Sequence, residues 1–500
     1  MRVALIQSRV VGDCPAENLE SLKAALKRQE TEGVELAVFP ALALSGRLGP
    51  TALARPGLEV QYQKVWGDFL EISKTYPKLT LASSALFFEA GGAAREEAFA
   101  VRDGRRLDKA AVSGRLFSDF GLELLLRTKD LALAAETRAD VIISLGSHFY
   151  QGVAYQPPFP GPAQAWRMNV SAVGGEGPRI YEGATWVFDP AGRLVGWAHG
   201  FENAMIVLDT ESTALKALEP RPEREPLEVL YQALKTGLRD FVRSAGLEKV
   251  LLGLSGGLDS ALTAVLAVDA LGADQVLAVA MPSEYNSPDS LNLARELSKN
   301  LGLAFLTIPI DGLREAFTRS FLLTPKRDEQ AGHLAEENIQ ARIRGVILMY
   351  LANREGRLLL ATGNKSEAAM GYATLYGDTC GAMAPIGDVY KSRLFELARH
   401  LNRAKERIPE GIISRPPSAE LRPGQKDEDA LPPYAVLDDI LHRHLEGRRS
   451  GSQVAREGGH PATTVAWVLS SLKKSAFKRA QEPFSLIASG CPLGGFDWPA

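Results

Sequence analysis

The residues best suited to chemistry lie together in one stretch, Gly253-Leu254-Ser255-Gly256-Gly257-Leu258-Asp259-Ser260. The apolar run Val250-Leu251-Leu252 before it reads as a buried parallel strand, and Ala261 to Asp269 after it reads as a helix. The stretch is therefore a strand-to-helix turn. Its glycines allow close approach of backbone to a ligand, and the unpaired N–H groups of the helix start suit an anionic phosphate. Ser255 and Ser260 add hydroxyls, and Asp259 can hold magnesium against phosphate oxygens. The spacing G-x-x-x-x-G-K-[ST] is absent, which excludes a Walker A loop. Gly253, Ser255 and Gly257 do satisfy G-x-S-x-G, the nucleophile elbow of hydrolases, but that reading leaves Asp259 and Ser260 without a role. A glycine-rich turn with no chemistry is a third reading of the same residues.

The elements around this turn favour the phosphate reading. Gln275–Ala280, Ala304–Ile310 and Leu358–Ala361 read as further strands, with a helix over Ser290–Leu301. The loops after residues 254, 280 and 361 then share the carboxyl edge of a parallel sheet, where ligands bind in open α/β folds. Polar residues collect in those loops, among them Ser283-Glu284-Tyr285-Asn286-Ser287 and Thr362-Gly363-Asn364-Lys365-Ser366-Glu367. Glu219-Pro220-Arg221-Pro222-Glu223-Arg224-Glu225-Pro226 cannot be a helix interior or a central strand. It divides the chain into a domain over 1–218, a linker over 219–227 and a domain over 228–500. Leu230, Leu234, Leu238, Phe241 and Val242 share one face of a helix that follows the linker.

The first half also alternates strands and helices. Apolar runs at Val3–Ile6, Val34–Phe39, Leu79–Phe87, Val141–Leu145 and Thr185–Phe188 are interleaved with helical patterns at Ala16–Glu32 and Val65–Tyr76. Asp189-Pro190-Ala191-Gly192-Arg193 is a hairpin turn. The fold class is α/β throughout.

Composition narrows the function classes. The chain has 500 residues, 45% hydrophobic and 23% charged, enough for two large cores, and its formal net charge of −3 gives no bias toward nucleic acid. Cys14, Cys380 and Cys491 are far apart, so neither a disulfide framework nor a zinc site is expected. Met1 to Ser8 reads as a strand rather than a signal peptide, and no apolar run reaches bilayer length, so a cytoplasmic protein is expected. His442, His444 and His460 lack ligand spacing and read as solvated. Thr464–Arg479 reads as a basic amphipathic helix, a weak nucleic-acid signal in a domain that is not otherwise basic.

Residues 1–210 resemble the nitrilase, or carbon–nitrogen hydrolase, family. The matching blocks are Met1–Gln7, Val34–Gly46 and Tyr181–Asp189. The resemblance implies an α-β-β-α sandwich and a Glu, Lys and Cys triad. This chain departs from the triad. Phe39-Pro40-Ala41-Leu42 has Ala41 where the family has its general base, and Leu125-Leu126-Arg127-Thr128-Lys129-Asp130 offers no nucleophile. No cysteine lies between Cys14 and Cys380, and Cys14 sits on the wrong element. Asp108-Lys109-Ala110 keeps the lysine motif weakly, and Lys109 reads as an ordinary surface or loop residue. The domain is expected to keep the fold without amide hydrolysis.

Ser255-Gly256-Gly257-Leu258-Asp259-Ser260 matches the S-G-G-x-D-S pyrophosphatase loop of amidating adenylyltransferases, and residues 245–480 are similar to NAD synthetases. The strongest blocks are Glu336–Arg344, Ala361–Glu367, Tyr376-Gly377-Asp378, Pro385–Lys391 and Arg415–Asp429. The resemblance implies a doubly wound parallel sheet of the adenine nucleotide alpha hydrolase (PP-loop) type. It implies conversion of nicotinic acid adenine dinucleotide, ATP and ammonia into NAD, AMP and pyrophosphate. Gly253, Leu254, Ser255, Gly256, Gly257, Leu258, Asp259, Ser260, Thr362, Lys391 and Ser418 would then contact ATP. Asn338, Arg342, Glu367, Asp378 and Lys478 would bind the dinucleotide, Asp259 and Glu367 would hold Mg2+, and Asp259, Lys391 and Glu367 would act in catalysis. A homodimer or larger homo-oligomer is implied.

Plainer structural roles compete for several of these residues. Asn338 can cap a helix opening at Glu336, and Arg342 and Arg344 can be solvated surface charges. Asp378 and Asp388 can be turn residues, and Lys391 and Lys478 surface lysines. Residues 414–434 read as a mobile loop whose Lys426-Asp427-Glu428-Asp429 run is solvated. A serine hydrolase and a non-catalytic nucleotide sensor are the competing functions. With Ala41 and no cysteine at the amidase site, ammonia is the expected nitrogen donor. The alternative is glutamine, used through a separate glutaminase partner or an unrecognised amidase site.

Overall fold

A computed structural model describes residues 1–28, 33–46, 48, 53, 55–88, 94–107, 113–117, 121–126, 141–146, 149–153, 165–212, 224–320 and 329–493. The chain divides into two compact units. The first comprises Met1–Tyr150, Ala154–Glu176 and Ile180–Arg224, and the second comprises Gln151–Val153, Gly177–Arg179 and Glu225–Ala500.

The first unit is built on two six-stranded sheets. One runs in the spatial order Ala204–Asp209, Arg2–Gln7, Leu36–Val38, Thr80–Phe88, Ala94–Arg102, Arg105–Arg106. The other runs Leu194–Trp197, Trp186–Phe188, Trp166–Ser171, Val141–Gly146, Gly121–Leu126, Ser113–Phe117. Side chains alternate across a strand, and the N-terminal strand shows what that does. Val3 and Leu5 join Val141, Ile143, Met168, Val170 and Val187 in the layer between the sheets. Ala4 and Ile6 face the other way, onto Leu19 and Leu22 of the helix Pro15–Leu26 and Val65 and Phe69 of the helix Leu58–Thr75. These are the helix, sheet and sheet layers of the expected sandwich. The stretch 127–140 lies outside the described residues, as does Lys109. The Asp189–Arg193 turn joins antiparallel strands, with Gly192 at φ +80° and the Arg193 N–H donating to Asp189 Oδ1 at 2.8 Å.

Two features of this unit bear on chemistry. Ala41 is buried in the layer between the sheets, an apolar setting. Cys14 is exposed at the start of the helix Pro15–Leu26, and partial burial together with Glu17 and Asp13 raises its thiol above the usual range. A raised thiol carries little thiolate, the form that attacks.

The second unit holds a four-stranded parallel sheet in the order Ala304–Thr307, Val276–Ala280, Val250–Gly253, Leu358–Leu360. Leu251, Leu277 and Val279 face Ile343, Ile347 and Leu351 of the long helix Glu329–Glu355. The helices Leu258–Leu271 and Pro288–Leu301 also pack on these strands. The helix after the linker runs Pro226–Ser244, with a proline in its first turn where the missing N–H costs nothing. No described helix is long and apolar enough to cross a membrane.

Candidate functional site

The central strand Val250–Gly253 ends at the carboxyl edge of the sheet, and the chain turns sharply into the helix Leu258–Leu271. Gly256 makes the turn possible. It has φ +83°, and a Cβ there would overlap the backbone carbonyl oxygen of Ser290. The two serines of the turn brace it from inside. Ser255 Oγ accepts from the Gly257 N–H at 3.2 Å, and Ser260 Oγ donates to the Gly257 carbonyl at 3.0 Å. Neighbouring Oγ atoms are 3.1 Å apart. The first N–H groups of the helix have no intrahelical acceptor, so a preformed set of donors faces the cavity.

Asp259 occupies the first turn of that helix, and its carboxylate accepts from Asn364 Nδ2 at 3.0 Å and pairs with Lys391 Nζ. Asn364 also caps the helix Lys365–Met370. Its Oδ1 accepts from the Glu367 N–H at 3.0 Å, and the Glu367 carboxylate returns to the Asn364 N–H at 3.4 Å. The side chain of Glu367 is thereby placed 3.4 Å from Lys391 Nζ. Three helix N-termini from three parts of the chain thus bring two carboxylates and one ammonium together.

Burial sets the electrostatics here. Lys391 is 3% exposed; burial pulls its pKa down, but the carboxylates of Asp259 and Glu367 outweigh this and raise it. Glu367 is pushed up to about 8, first by burial and then by the negative charge of Asp259, with Lys391 opposing. Burial likewise raises Asp378 and Asp427.

These groups line a cavity of about 310 Å³. All eight residues from Gly253 to Ser260 are in its wall, with Thr362, Glu367, Asp378, Lys391 and Ser418. Asn338, Arg342 and Lys478 are not among the lining residues. They meet instead on the segment from Gly371 to Leu375: Thr374 Oγ1 donates to Asn338 Oδ1 at 2.7 Å, Arg342 Nε to the Leu375 carbonyl at 3.2 Å, and Lys478 Nζ to the Gly371 and Ala373 carbonyls at 2.8 and 2.7 Å. No histidine lines the cavity among the described residues, so the Ser–His pair of a serine hydrolase is not formed around Ser255 there.

Several expectations are corrected here. Asn338 does not cap a helix, because the helix already begins at Glu329. Asp427 is not solvated; it is 4% exposed, lines the cavity and accepts from Tyr434 Oη at 2.8 Å. Within residues 415–429, Ser418 Oγ donates to the Gln425 carbonyl at 2.5 Å, and Ser290 Oγ donates to the carboxylate of Glu420 at 2.8 Å. Arg344 is a lining residue rather than a surface charge. It donates to the Met281 carbonyl at 3.0 Å and Asn286 Oδ1 at 3.1 Å, and burial lowers it to about 10. Asp388 is a buried partner of Lys365 at 2.9 Å rather than a turn residue alone. Lys478 and Arg479 are engaged with the backbone carbonyls of 369–373, which removes much of the basic face of the last helices. His460 sits 2.6 Å from Asp439 rather than free in solvent. Among the described residues no group of three or more His, Cys, Asp or Glu gathers as a metal site.

The arrangement joins an anion cradle, one buried ammonium and two carboxylates at the edge of a parallel sheet. Comparison with known proteins agrees with it. The profile of the family described as NAD synthase matches residues 230–482. The glutamine-dependent NAD(+) synthetase of Thermotoga maritima is 33% identical, over 100% of this chain and 97% of that protein. That of Synechocystis is 42% identical, over 63% of this chain and 56% of that protein. Among solved structures, the glutamine-dependent NAD+ synthetase of Acinetobacter baumannii in complex with ADP aligns with a TM-score of 0.69 at 27% identity, covering 99% of both chains. The synthetase of Cytophaga hutchinsonii, at 17% identity, aligns with a TM-score of 0.80 over 100% of this chain and 97% of that one, a likeness of fold. With a family profile over the second unit and a relative matched along the whole length, the chain belongs to the NAD synthase family, in its two-domain form.

Proposed function

We propose that the second unit amidates nicotinic acid adenine dinucleotide to NAD through an acyl-adenylate made from ATP. The observation that carries this is the meeting of Asp259, Glu367 and Lys391 beside the Ser255–Ser260 turn. A carboxylate resists attack by ammonia until its oxygen becomes a leaving group, and adenylation supplies one. In this reading the N–H groups and hydroxyls of the turn receive the departing pyrophosphate. Lys391 balances charge on the phosphates during transfer. Thr362 and Ser418 contact the nucleotide, and Asp378 with Glu367 faces the dinucleotide. Asn338, Arg342 and Lys478 act on the same substrate by holding the segment Gly371–Leu375 in place. Asp259 and Glu367 would hold Mg2+ as hard oxygen donors, together with phosphate oxygens, although in the structure both carboxylates are turned to the Lys391 ammonium. When bound, that ion would neutralise the triphosphate.

The nitrogen donor follows from two facts that pull apart. The relatives are named glutamine-dependent, which favours glutamine over ammonia as the ultimate source. Yet Ala41 stands in apolar core, and no cysteine lies between Cys14 and Cys380. We therefore read the chain as an ammonia-using ligase fed by glutamine hydrolysed on a separate amidase. The test is NAD formation by the purified full chain with ATP, Mg2+ and either nitrogen source. Ammonia should support turnover, and glutamine should do so only when a glutaminase is added. Glutamine alone working as well as ammonia would refute the nitrogen assignment. No NAD from either source would refute the ligase reading.

A further inference from the structure

The helix Lys391–Leu401 delivers the buried ammonium of the site, yet its own N-cap residue, Tyr390, makes no side-chain cap. The cap comes from two other helices. The Lys391 N–H donates to Ser366 Oγ at 2.9 Å, and the Ser392 N–H donates to Asp438 Oδ2 at 2.8 Å. Ser366 Oγ in turn donates to the other oxygen, Asp438 Oδ1, at 2.5 Å. One carboxylate thus closes a ring through two exposed-end N–H groups and one hydroxyl. A negative group is favoured at that end of a helix by the dipole as well as by the hydrogen bonds.

The position of Asp438 gives this ring its consequence. It is 4% exposed, and it lies outside the cavity wall, on the helix Tyr434–Leu445. Ser366 is fully buried and immediately precedes Glu367. The ring therefore fixes the helix that starts with Lys391 against the helix that carries Glu367. Their side chains meet 3.4 Å apart in the site. The same Tyr434–Leu445 helix begins with Tyr434, whose hydroxyl holds Asp427 in the cavity wall.

We propose that Asp438 is a positioning residue of the ligase site, acting through Ser366 and the first turn of the helix Lys391–Leu401 to set where Lys391 stands between Asp259 and Glu367. The proposal rests on the ligase reading above. Asp438 is not among the residues lining the cavity, so its loss should leave the donors of the Ser255–Ser260 turn in place and fall mainly on the chemical step, through Lys391. Displacement of a catalytic group by about an ångström can cost on the order of a hundredfold in rate.

The experiment compares the full chain with Asp438→Asn, Ser366→Ala and the double variant, using ammonia as donor. The amide keeps the shape of the carboxylate but cannot accept on both sides. Each single variant should lose about 10–100-fold in kcat, with KM for ATP changed less than about threefold. The double variant should lose no more than the worse single variant, because both break one ring. Circular dichroism and thermal unfolding establish which variants are folded, and Ser366→Ala carries the test if Asp438→Asn is not. Folded variants with wild-type kcat, losses that multiply in the double variant, or losses confined to KM each overturn the proposal while wild-type activity keeps the ligase reading intact. An inactive wild type overturns that reading, and the proposal with it.

Discussion

Replacing Gly256 by alanine tests the geometry of the turn on which the site is built. Two costs can be read from the structure. The φ of +83° lies in the left-handed region, which costs an L-residue roughly 1–2 kcal/mol. The new Cβ would also overlap the Ser290 carbonyl oxygen and lie 2.9 Å and 3.0 Å from its carbon and Cα. All three atoms are backbone, so no side chain can swing away. Relief requires moving either the helix Pro288–Leu301 or the turn itself, and overpacking of this kind costs about 1–3 kcal/mol. Together the substitution should cost about 2–5 kcal/mol. If the helix yields, the loss appears in denaturant unfolding of the second unit. If the turn yields, stability falls less, but the donors no longer meet the phosphates and KM for ATP rises. Urea unfolding and ATP titration of one variant therefore capture the whole effect. A Gly256→Ala protein with unchanged unfolding midpoint and unchanged ATP affinity would show that the turn is not held as described.

Three further outcomes are expected. Burial and the charge of Asp259 raise the Glu367 carboxyl from its ordinary 4.5 to about 8, against the pull of the Lys391 ammonium. Between those values the folded state binds the extra proton, so stability should fall as pH rises across that window. Glu367→Gln should remove this slope, and parallel pH dependences for the two proteins would count against the buried acid. Lys391→Met removes the ammonium shared by two carboxylates and should reduce NAD formation by at least about a hundredfold; retention of a tenth of the activity would exclude Lys391 from the chemistry. Lys365 is 0% exposed, and its Nζ is bound by Asp388, Glu446, Ser489 Oγ and the Cys491 carbonyl. Lys365→Met should cost about 3–5 kcal/mol and expose the segment around Ser489 to limited proteolysis, whereas wild-type resistance and stability would mean that segment is held by other contacts.

Local patterns carried much of this molecule into view from its sequence. The turn around Gly256 was legible because a strand, a glycine-rich break and an apolar helix follow one another without interruption. Element types were clear from a continuous apolar run in Arg2–Gln7 and from helical side-chain period in Pro226–Ser244. The loops after 254, 280 and 361 line one cavity, as their shared place at the carboxyl edge of a parallel sheet implies. What stayed hidden was burial of charge at a distance. Nothing near Asp427 marks it as different from Glu428 or Asp429, since its partner Tyr434 and its neighbour Lys391 come from other elements. Arg342 and Arg344 are two residues apart on one helix, yet only Arg344 faces the cavity, a matter of helical phase that a short charged run does not reveal. Asn364 was seen inside its motif, but its double duty, capping one helix and holding Asp259 of another, depends on strand order.

Ser290 has a consequence of its own. Its carbonyl backs the bend at Gly256, while its hydroxyl reaches the Glu420 carboxylate and receives Arg415. Two segments of the cavity wall, the turn at Gly256 and the stretch around Glu420, therefore lean on a single abutment. Any drift of that helix would disturb both segments together. Tolerance to sequence change should accordingly be lower on the inner face of Pro288–Leu301 than its modest size and lack of reactive groups would suggest.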